Sequence, residues 1–189
     1  MRTIRCSCGR DILVDDIDYE RLACYSWTCN GRGAVYRVIA TEKGSRCLNI
    51  AWVIIIVPEG LEAEHKDLNF HNNQRSNLRT ATKSQNVANR GLRSDNVTGY
   101  KGVSFDVKRG KFRAAIKYLG KKKFLGYFEN IHLAAAAYNE AAIRLFGEYA
   151  RVNTLPLSES KKSLQTDGGT ASPPPALRDS GHNPKTPHT

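Results

Sequence analysis

The sequence predicts an α+β protein made of two small modules. Three observations point there: short β-branched or alternating segments bounded by Gly, Asn and Asp, helix-start signals at Thr82 and Asn130, and composition changes near residues 93–98 and from Pro156 onward. A chain of 189 residues has room for two small modules with a flexible end. The boundaries read 1–92, a linker at 93–98, a second module at 99–155, and a tail at 156–189.

In order, Ile12, Val14 and Ile17 flank Asp15-Asp16 and suggest a small β-rich start across an acidic turn, with Trp27 offering a large core side chain. Gly31-Arg32-Gly33 reads as a turn into a strand at 35–39, and Lys43-Gly44 as a hairpin tip returning through Cys47. Residues 51–57 fit either a buried helix or a strand. Residues 61–64 read as a short strand that delivers Glu64-His65 to its end, followed by an Asn-, Asp- and His-rich loop and a return strand at 77–81. Thr82-Lys83-Ser84-Gln85 has capping-box spacing, so a helix runs from Lys83 to Arg90 with Asn86 and Arg90 on one face.

Beyond the linker come three strands, 100–107, 112–118 and 123–128, turned at Lys108-Arg109-Gly110 and Gly120-Lys121. Alternation in the middle strand puts Phe112, Ala114, Ile116 and Tyr118 on one face and Arg113, Ala115 and Lys117 on the other. Asn130 caps a helix over 131–146 that Gly147 stops. Its alanines, with Leu133, Ile143 and Leu145, are expected against the apolar sheet face; Tyr138 fits either the core or a phosphate contact. From Pro156 the Ser-, Pro- and Gly-rich composition predicts disorder.

A net charge of +11 points to a polyanionic partner. Residues 99–155 carry eleven Lys/Arg against four Asp/Glu. Nucleic acid is favoured over a membrane surface, because the basic residues fall on strand-like segments. No apolar run approaches the roughly 20 residues of a membrane span, and the N-terminus lacks a secretory h-region, so a soluble cytoplasmic protein is expected. Five cysteines, an odd number, argue against a disulfide framework. Cys6-Ser-Cys8 with Cys24-x4-Cys29 could supply four thiolates to zinc, but the first pair is unusually close and one cysteine is left over. Free thiols are the expected state.

Glu64-His65, with Asn77 and Asn86 twelve and twenty-one positions after the histidine, combines a carboxylate, an imidazole and two amides. An imidazole can take a proton from water near neutral pH when a neighbour fixes its tautomer. Carboxylate and amide oxygens are hard ligands suited to Mg²⁺ or Mn²⁺. Residues 12–91 resemble the HNH homing endonucleases, often carried by phages. The resemblance rests on Leu13-Val14-Asp15-Asp16 with Tyr19 and Trp27, the run 58–65, and the run 72–82 leading to Asn86. It implies a ββα-metal module in which His65 is the general base, Asn77 orients its ring, and Glu64 and Asn86 hold the metal. Glu64 stands where many relatives have aspartate, and Ala51-Trp52 where they often have His-Arg.

Residues 99–153 resemble the plant ethylene-response-factor (APETALA-type) DNA-binding domain, through Gly99-Tyr100-Lys101-Gly102-Val103, the run 110–116, Phe124-Leu125-Gly126-Tyr127-Phe128 and Ala135-Ala136-Ala137-Tyr138 through Asn153. This implies a three-stranded antiparallel sheet packed on one helix, lying in the major groove of double-stranded DNA. Contacts would come from Lys101, Ser104, Lys111, Arg113, Lys117, Lys122, Phe124 and Tyr127. Lysine replaces several arginines of the plant pattern and lacks their bidentate fork, so looser sequence preference is expected. Arg75, Arg79 and Arg90 are expected at the DNA backbone, Lys121-Lys122-Lys123 near phosphate, and His71 on the solvated side of its loop.

The reading that joins these signals is a monomeric, metal-dependent, homing-type DNA endonuclease, nicking duplex DNA held by the second module. The alternative is a DNA-binding regulator with a degenerate, inactive nuclease module.

Overall fold

The computed structural model describes residues 1–156, so the expected disordered tail lies, from residue 157, outside the described residues. The fold is mixed α+β with several small antiparallel sheets. An N-terminal hairpin, β1 (Arg2–Arg5) and β2 (Asp11–Val14), leads into α1 (Asp16–Ala23). A second sheet has the order β3 (Thr28–Cys29), β4 (Val35–Thr41), β5 (Gly44–Asn49) and feeds α2 (Ile50–Ile54). Next come the pair β6 (Glu62–His65) and β7 (Leu78–Ala81), then α3 (Lys83–Asn89). The last sheet runs β8 (Val103–Asp106), β9 (Lys111–Tyr118), β10 (Lys121–Phe128), followed by α4 (Ile131–Phe146) and a 3₁₀ turn at Gly147–Tyr149.

Helix α1 replaces the expected continuation of β structure around Asp15-Asp16. Asp15 is extended at the N-cap, and Asp16 and Asp18 in the first turn complement the positive end of the helix. Short acidic side chains favour helix starts as well as turns, so the same residues suit both conformations. Ile17 is consequently 78% exposed rather than in the core. The packing face of α4 also differs from the expected one: Leu133 and Ile143 face away from the sheet, while Ala134, Ala135, Tyr138, Ala141 and Ala142 face it. Tyr138 is therefore a core residue.

The first core gathers Ile4, Ile12, Val14, Leu22, Trp27, Val35, Ile50, Ala51, Ile54 and Leu78. Trp27 is fully enclosed and its indole N–H donates to the Leu22 carbonyl at 2.9 Å, so its polar atom does not lose a partner on burial. Segment 51–57, ambiguous in sequence, begins with α2 because Asn49 accepts from the Ala51 amide and starts the turn. The capping box forms in full: the Gln85 backbone N–H donates to Thr82 Oγ1, and the Thr82 N–H donates to the Gln85 side chain.

The β8–β10 sheet lays its apolar face, Val103, Ala114 and Ile116, on α4. Ala88 of α3 joins this second core beside Ala141, Ala142 and Phe146. Close approach of α4 requires Gly102, which sits at φ +77°. A Cβ there would lie 2.0 Å from the Tyr138 ring and 2.8 Å from the Ala115 carbonyl oxygen. Both the ring and the backbone would have to move, so Gly102→Ala should lose about 2–4 kcal/mol of stability, read from urea unfolding. A loss below about 0.5 kcal/mol would show that the sheet and helix tolerate a wider gap.

Asp18 is buried between Arg21 and Arg75. Burial alone would raise its carboxyl, but hydrogen bonds and charge from the two arginines outweigh that and hold it below its ordinary value. A depressed carboxyl stabilises the fold above its unfolded pKa and loses that contribution as pH falls through the folded value. Both guanidinium groups are almost half exposed, which screens the pair. Asp18→Asn should therefore cost about 1–2 kcal/mol at neutral pH, with the gap to the unsubstituted protein closing below about pH 4 in denaturant titrations.

Candidate active site and nucleic-acid face

Strand alternation sorts the candidate residues. Glu62 and Glu64 lie on one face of β6 and His65 on the other, and the register sets Glu64 directly opposite Arg79. Arg79 Nε donates to Glu64 Oε2 at 2.6 Å. The second carboxylate oxygen, Glu64 Oε1, is buried and has no hydrogen-bond partner among the described residues. Asn86 on α3 reaches the same face, where its Nδ2 donates to Glu62 Oε2. The expected metal pair, Glu64 and Asn86, is thus brought to one side of β6, with Glu62 as a second carboxylate there. An orphaned buried carboxylate oxygen on a strand face that also carries Glu62, itself bonded to Asn86, offers the oxygen donors that a hard, hydrated dication takes.

On the other face His65 is buried. Its Nε2–H donates to Asn73 Oδ1 at 3.0 Å, an assignment that follows because Asn73 Nδ2 already donates to the Phe70 carbonyl. This leaves Nδ1 as the lone-pair nitrogen. The Phe70 ring packs edge-on at 5.3 Å. Burial holds the imidazole below its ordinary pKa, against the Asn73 hydrogen bond and the Asp67 carboxylate, which act the other way.

The hydrogen bond to the His65 ring thus comes from Asn73, not Asn77. Asn77 instead ties the loop: it accepts from the Asp67 amide at 3.1 Å and donates to Asp67 Oδ1 and the Asn72 carbonyl. Hydrogen bonds from the Asn69 backbone, Asn72 and Asn77 outweigh the cost of burial and keep the Asp67 carboxyl below its ordinary range. Asn89 donates to the His65 carbonyl at 3.0 Å, pinning the end of β6 to α3.

Sequence reasoning does not reach Glu62, Asn73, Asp67 and Asn89. The period of two along β6 could flag Glu62, two residues before Glu64. Arg79, expected at DNA phosphate, is mostly buried; besides Glu64 it donates to the Glu148 carbonyl and stacks on the Tyr149 ring. Arg75 is exposed but holds Asp18 through Nε and Nη2, both at 2.8 Å. His71, expected on the solvated side, is buried.

In the second sheet the register places Ser104 opposite Arg113, Asp106 opposite Lys111, Ala115 opposite Phe124, and Lys117 opposite Lys122. Tyr127 also lies opposite Arg113, beyond a register shift between Phe124 and Gly126. Ser104, Lys111, Arg113, Lys117, Lys122, Phe124 and Tyr127 therefore share the face that α4 does not cover. Phe124 and Tyr127 are 53% and 36% exposed, with ring centroids 5.0 Å apart and Arg113 over the Phe124 ring. Lys111 also reaches Glu129 at 2.8 Å.

Lys101 does not join that face. Its Nζ donates to the carbonyls of Ala88 and Arg90, closing the C-terminal end of α3. Burial, with Arg151 and Arg90 nearby, lowers the ammonium to about 8. Arg90 itself has an exposed side chain.

Among the described residues no helix is long and apolar enough to cross a membrane. No protein-family model matches the chain, and no solved structure matches it. The chain is 32% identical over 99 residues to a protein named uncharacterized HNH endonuclease L560 from Acanthamoeba polyphaga mimivirus, spanning 52% of this chain and 50% of that protein. It is 41% identical over 54 residues to APETALA2-like protein 2 of Oryza sativa, covering 29% of this chain and 12% of the rice protein. It is also 39% identical over 64 residues to the AP2-like ethylene-responsive transcription factor TOE2 of Arabidopsis thaliana, 34% of this chain and 13% of that one. The chain thus spans half or less of each of these relatives, and its similarity is partial: to an HNH-named viral protein on one side and to AP2-named plant proteins on the other.

Proposed function

We propose that the chain is a metal-dependent DNA endonuclease of the HNH homing type, in which residues 1–92 cut and residues 99–155 hold double-stranded DNA. The observation that carries this reading is the buried, unpartnered Oε1 of Glu64 on the face shared with Glu62 and Asn86. It is supported by the HNH-named relative and by the AP2-named ones.

Glu64 and Asn86, with Glu62, would hold Mg²⁺ or Mn²⁺, which when bound polarises the scissile phosphodiester and stabilises the departing oxygen. His65, kept neutral by burial and fixed as the Nε2–H tautomer by Asn73, keeps Nδ1 free as the base. Because it ends β6 on the face opposite the metal residues, the attacking water would reach it round the end of the strand. Asp67 then stabilises the imidazolium by charge. The exposed basic and aromatic face of β8–β10 receives the duplex, its lysines contacting phosphate and Phe124 and Tyr127 contacting sugar or base edges. One such centre in a monomer nicks one strand at a time.

One observation favours the second reading, a DNA-binding regulator. The Arg79 guanidinium already neutralises Glu64 through Oε2, as a degenerate site would. Supercoiled plasmid with Mg²⁺ or Mn²⁺ separates the two. The enzyme reading expects nicked circles from the unsubstituted chain and a loss of about 10²–10⁴-fold in rate for His65→Ala. Retardation of DNA without cutting, in either metal, establishes the regulator instead.

The DNA face has its own test. Lys117→Ala with Lys122→Ala should weaken duplex binding and reduce the slope of log affinity against log salt by roughly 0.9 for each phosphate the protein no longer neutralises. Lys101→Ala should lower thermal stability and leave that slope unchanged, because its ammonium closes α3. A slope that changes with Lys101 and not with the β9–β10 lysines would move the DNA to the other side of the sheet.

A further inference from the structure

Away from the candidate active site, Cys6, Cys8, Cys29 and His71 place their Sγ and imidazole nitrogen atoms within 4.8 Å of one another. Three separate stretches of chain supply them. Cys6 and Cys8 lie on the turn that links β1 to β2, folded tightly by the Cys6 N–H to the Arg10 carbonyl and the Gly9 N–H to the Cys6 carbonyl, both 2.9 Å, with Gly9 at φ +84°. Cys29 ends β3, and the Ser7 N–H to the Trp27 carbonyl at 2.9 Å sets β3 beside that turn. His71 comes from the loop between β6 and β7. Its backbone is fixed by its own N–H to Asn69 Oδ1 at 3.1 Å and by the Leu13 N–H donating to its carbonyl at 2.8 Å.

We propose that these four residues form a structural Zn²⁺ site of the Cys₃His type. A tetrahedral zinc with Zn–S of ~2.3 Å and Zn–N of ~2.0 Å has edges of ~3.5–3.8 Å between ligand atoms. Cys8 Sγ and His71 Nε2 already stand 3.9 Å apart. Three soft thiolates and an imidazole select zinc over the hard dications suited to carboxylates, and four protein ligands leave no open position, so the site is structural. Sequence spacing pairs the first two cysteines with Cys24 and Cys29; the fold puts His71, 42 positions beyond Cys29, in the place that Cys24 would have to fill.

The site joins the N-terminal turn, the second sheet and the loop that carries Asn73, the partner of His65. A small core gains most from such a staple, because the metal closes long loops that the unfolded chain leaves open. Zinc content and thiol reactivity are read without any nuclease assay, so the site stands or falls separately from the proposed cutting activity.

The test uses the purified, untagged full chain. Elemental mass spectrometry should find about one zinc per chain that survives dialysis against EDTA at a level that removes Mg²⁺. Brief alkylation of the native protein should modify Cys24 and Cys47, both exposed, and spare Cys8, although Cys8 is exposed too. A high-affinity zinc chelator should then open Cys6, Cys8 and Cys29 to the reagent. Cys29→Ser and His71→Ala should lose the zinc, whereas Cys24→Ser and Cys47→Ser should retain it. Alkylation of Cys8 as fast as Cys24 in zinc-supplemented protein, or zinc content near zero in the unsubstituted chain, overturns the proposal without requiring any variant to fold.

Discussion

Arg79 is the interaction on which the arrangement of the chain turns. Its side chain is 12% exposed and touches Glu64 across the β6–β7 pair, the Glu148 carbonyl and the Tyr149 ring. A guanidinium this enclosed is tolerable only because planar acceptors and an aromatic face meet it on several sides. The consequence is structural and chemical together. The end of α4 is held against β7, reinforced by the Tyr149 hydroxyl donating to the Thr80 carbonyl at 2.9 Å, and Glu64 is left with one oxygen engaged and one free. Glu62, Glu64 and Arg79 carry formal charges of two negative and one positive, a balance that a dication would reverse and a phosphodiester monoanion would bring to zero.

His65 is governed from farther away. Its ring partner, Asn73, sits on a loop whose backbone is tied to β2 by the Asn73 N–H donating to the Leu13 carbonyl at 2.8 Å. The loop's interior is organised by Asp67, which collects Asn69, Asn72 and Asn77. The position of an imidazole nitrogen therefore depends on the N-terminal hairpin as well as on β6. Removing Asn77 would loosen the loop before it altered any contact to the ring, so a change in activity from that residue would report positioning.

What can be read from the sequence is whatever is decided within a few residues. Thr82 with Gln85, Asn130 before α4 and Gly147 after it, and the alternation along β9 each state a local rule that the structure obeys. The rest depends on partners chosen in three dimensions. Asn73 and Asn77 are chemically alike and close in sequence, and only the course of the loop decides which one faces His65. Lys101 lies in a run of DNA-domain character, yet the carbonyls at the end of α3 capture it because α3 packs beside α4. His71 and Cys29 are brought together by strands whose pairing no spacing rule specifies.

The same logic revises the meaning of the basic composition. Of the arginines and lysines expected at DNA, Arg75 is held by Asp18, Arg79 by Glu64 and Lys101 by helix carbonyls. The two arginine charges are largely compensated within the fold, and the lysine is turned away from the open sheet face. Arg113, Lys117 and Lys122 stand instead on a face with exposed aromatic rings, where a low-dielectric sheet behind them limits screening from one side. Positive charge on the open sheet face is thus set by β9 and β10, whose lysines and Arg113 stand side by side there. A net charge of +11 therefore does not translate residue for residue into cations on the open sheet face.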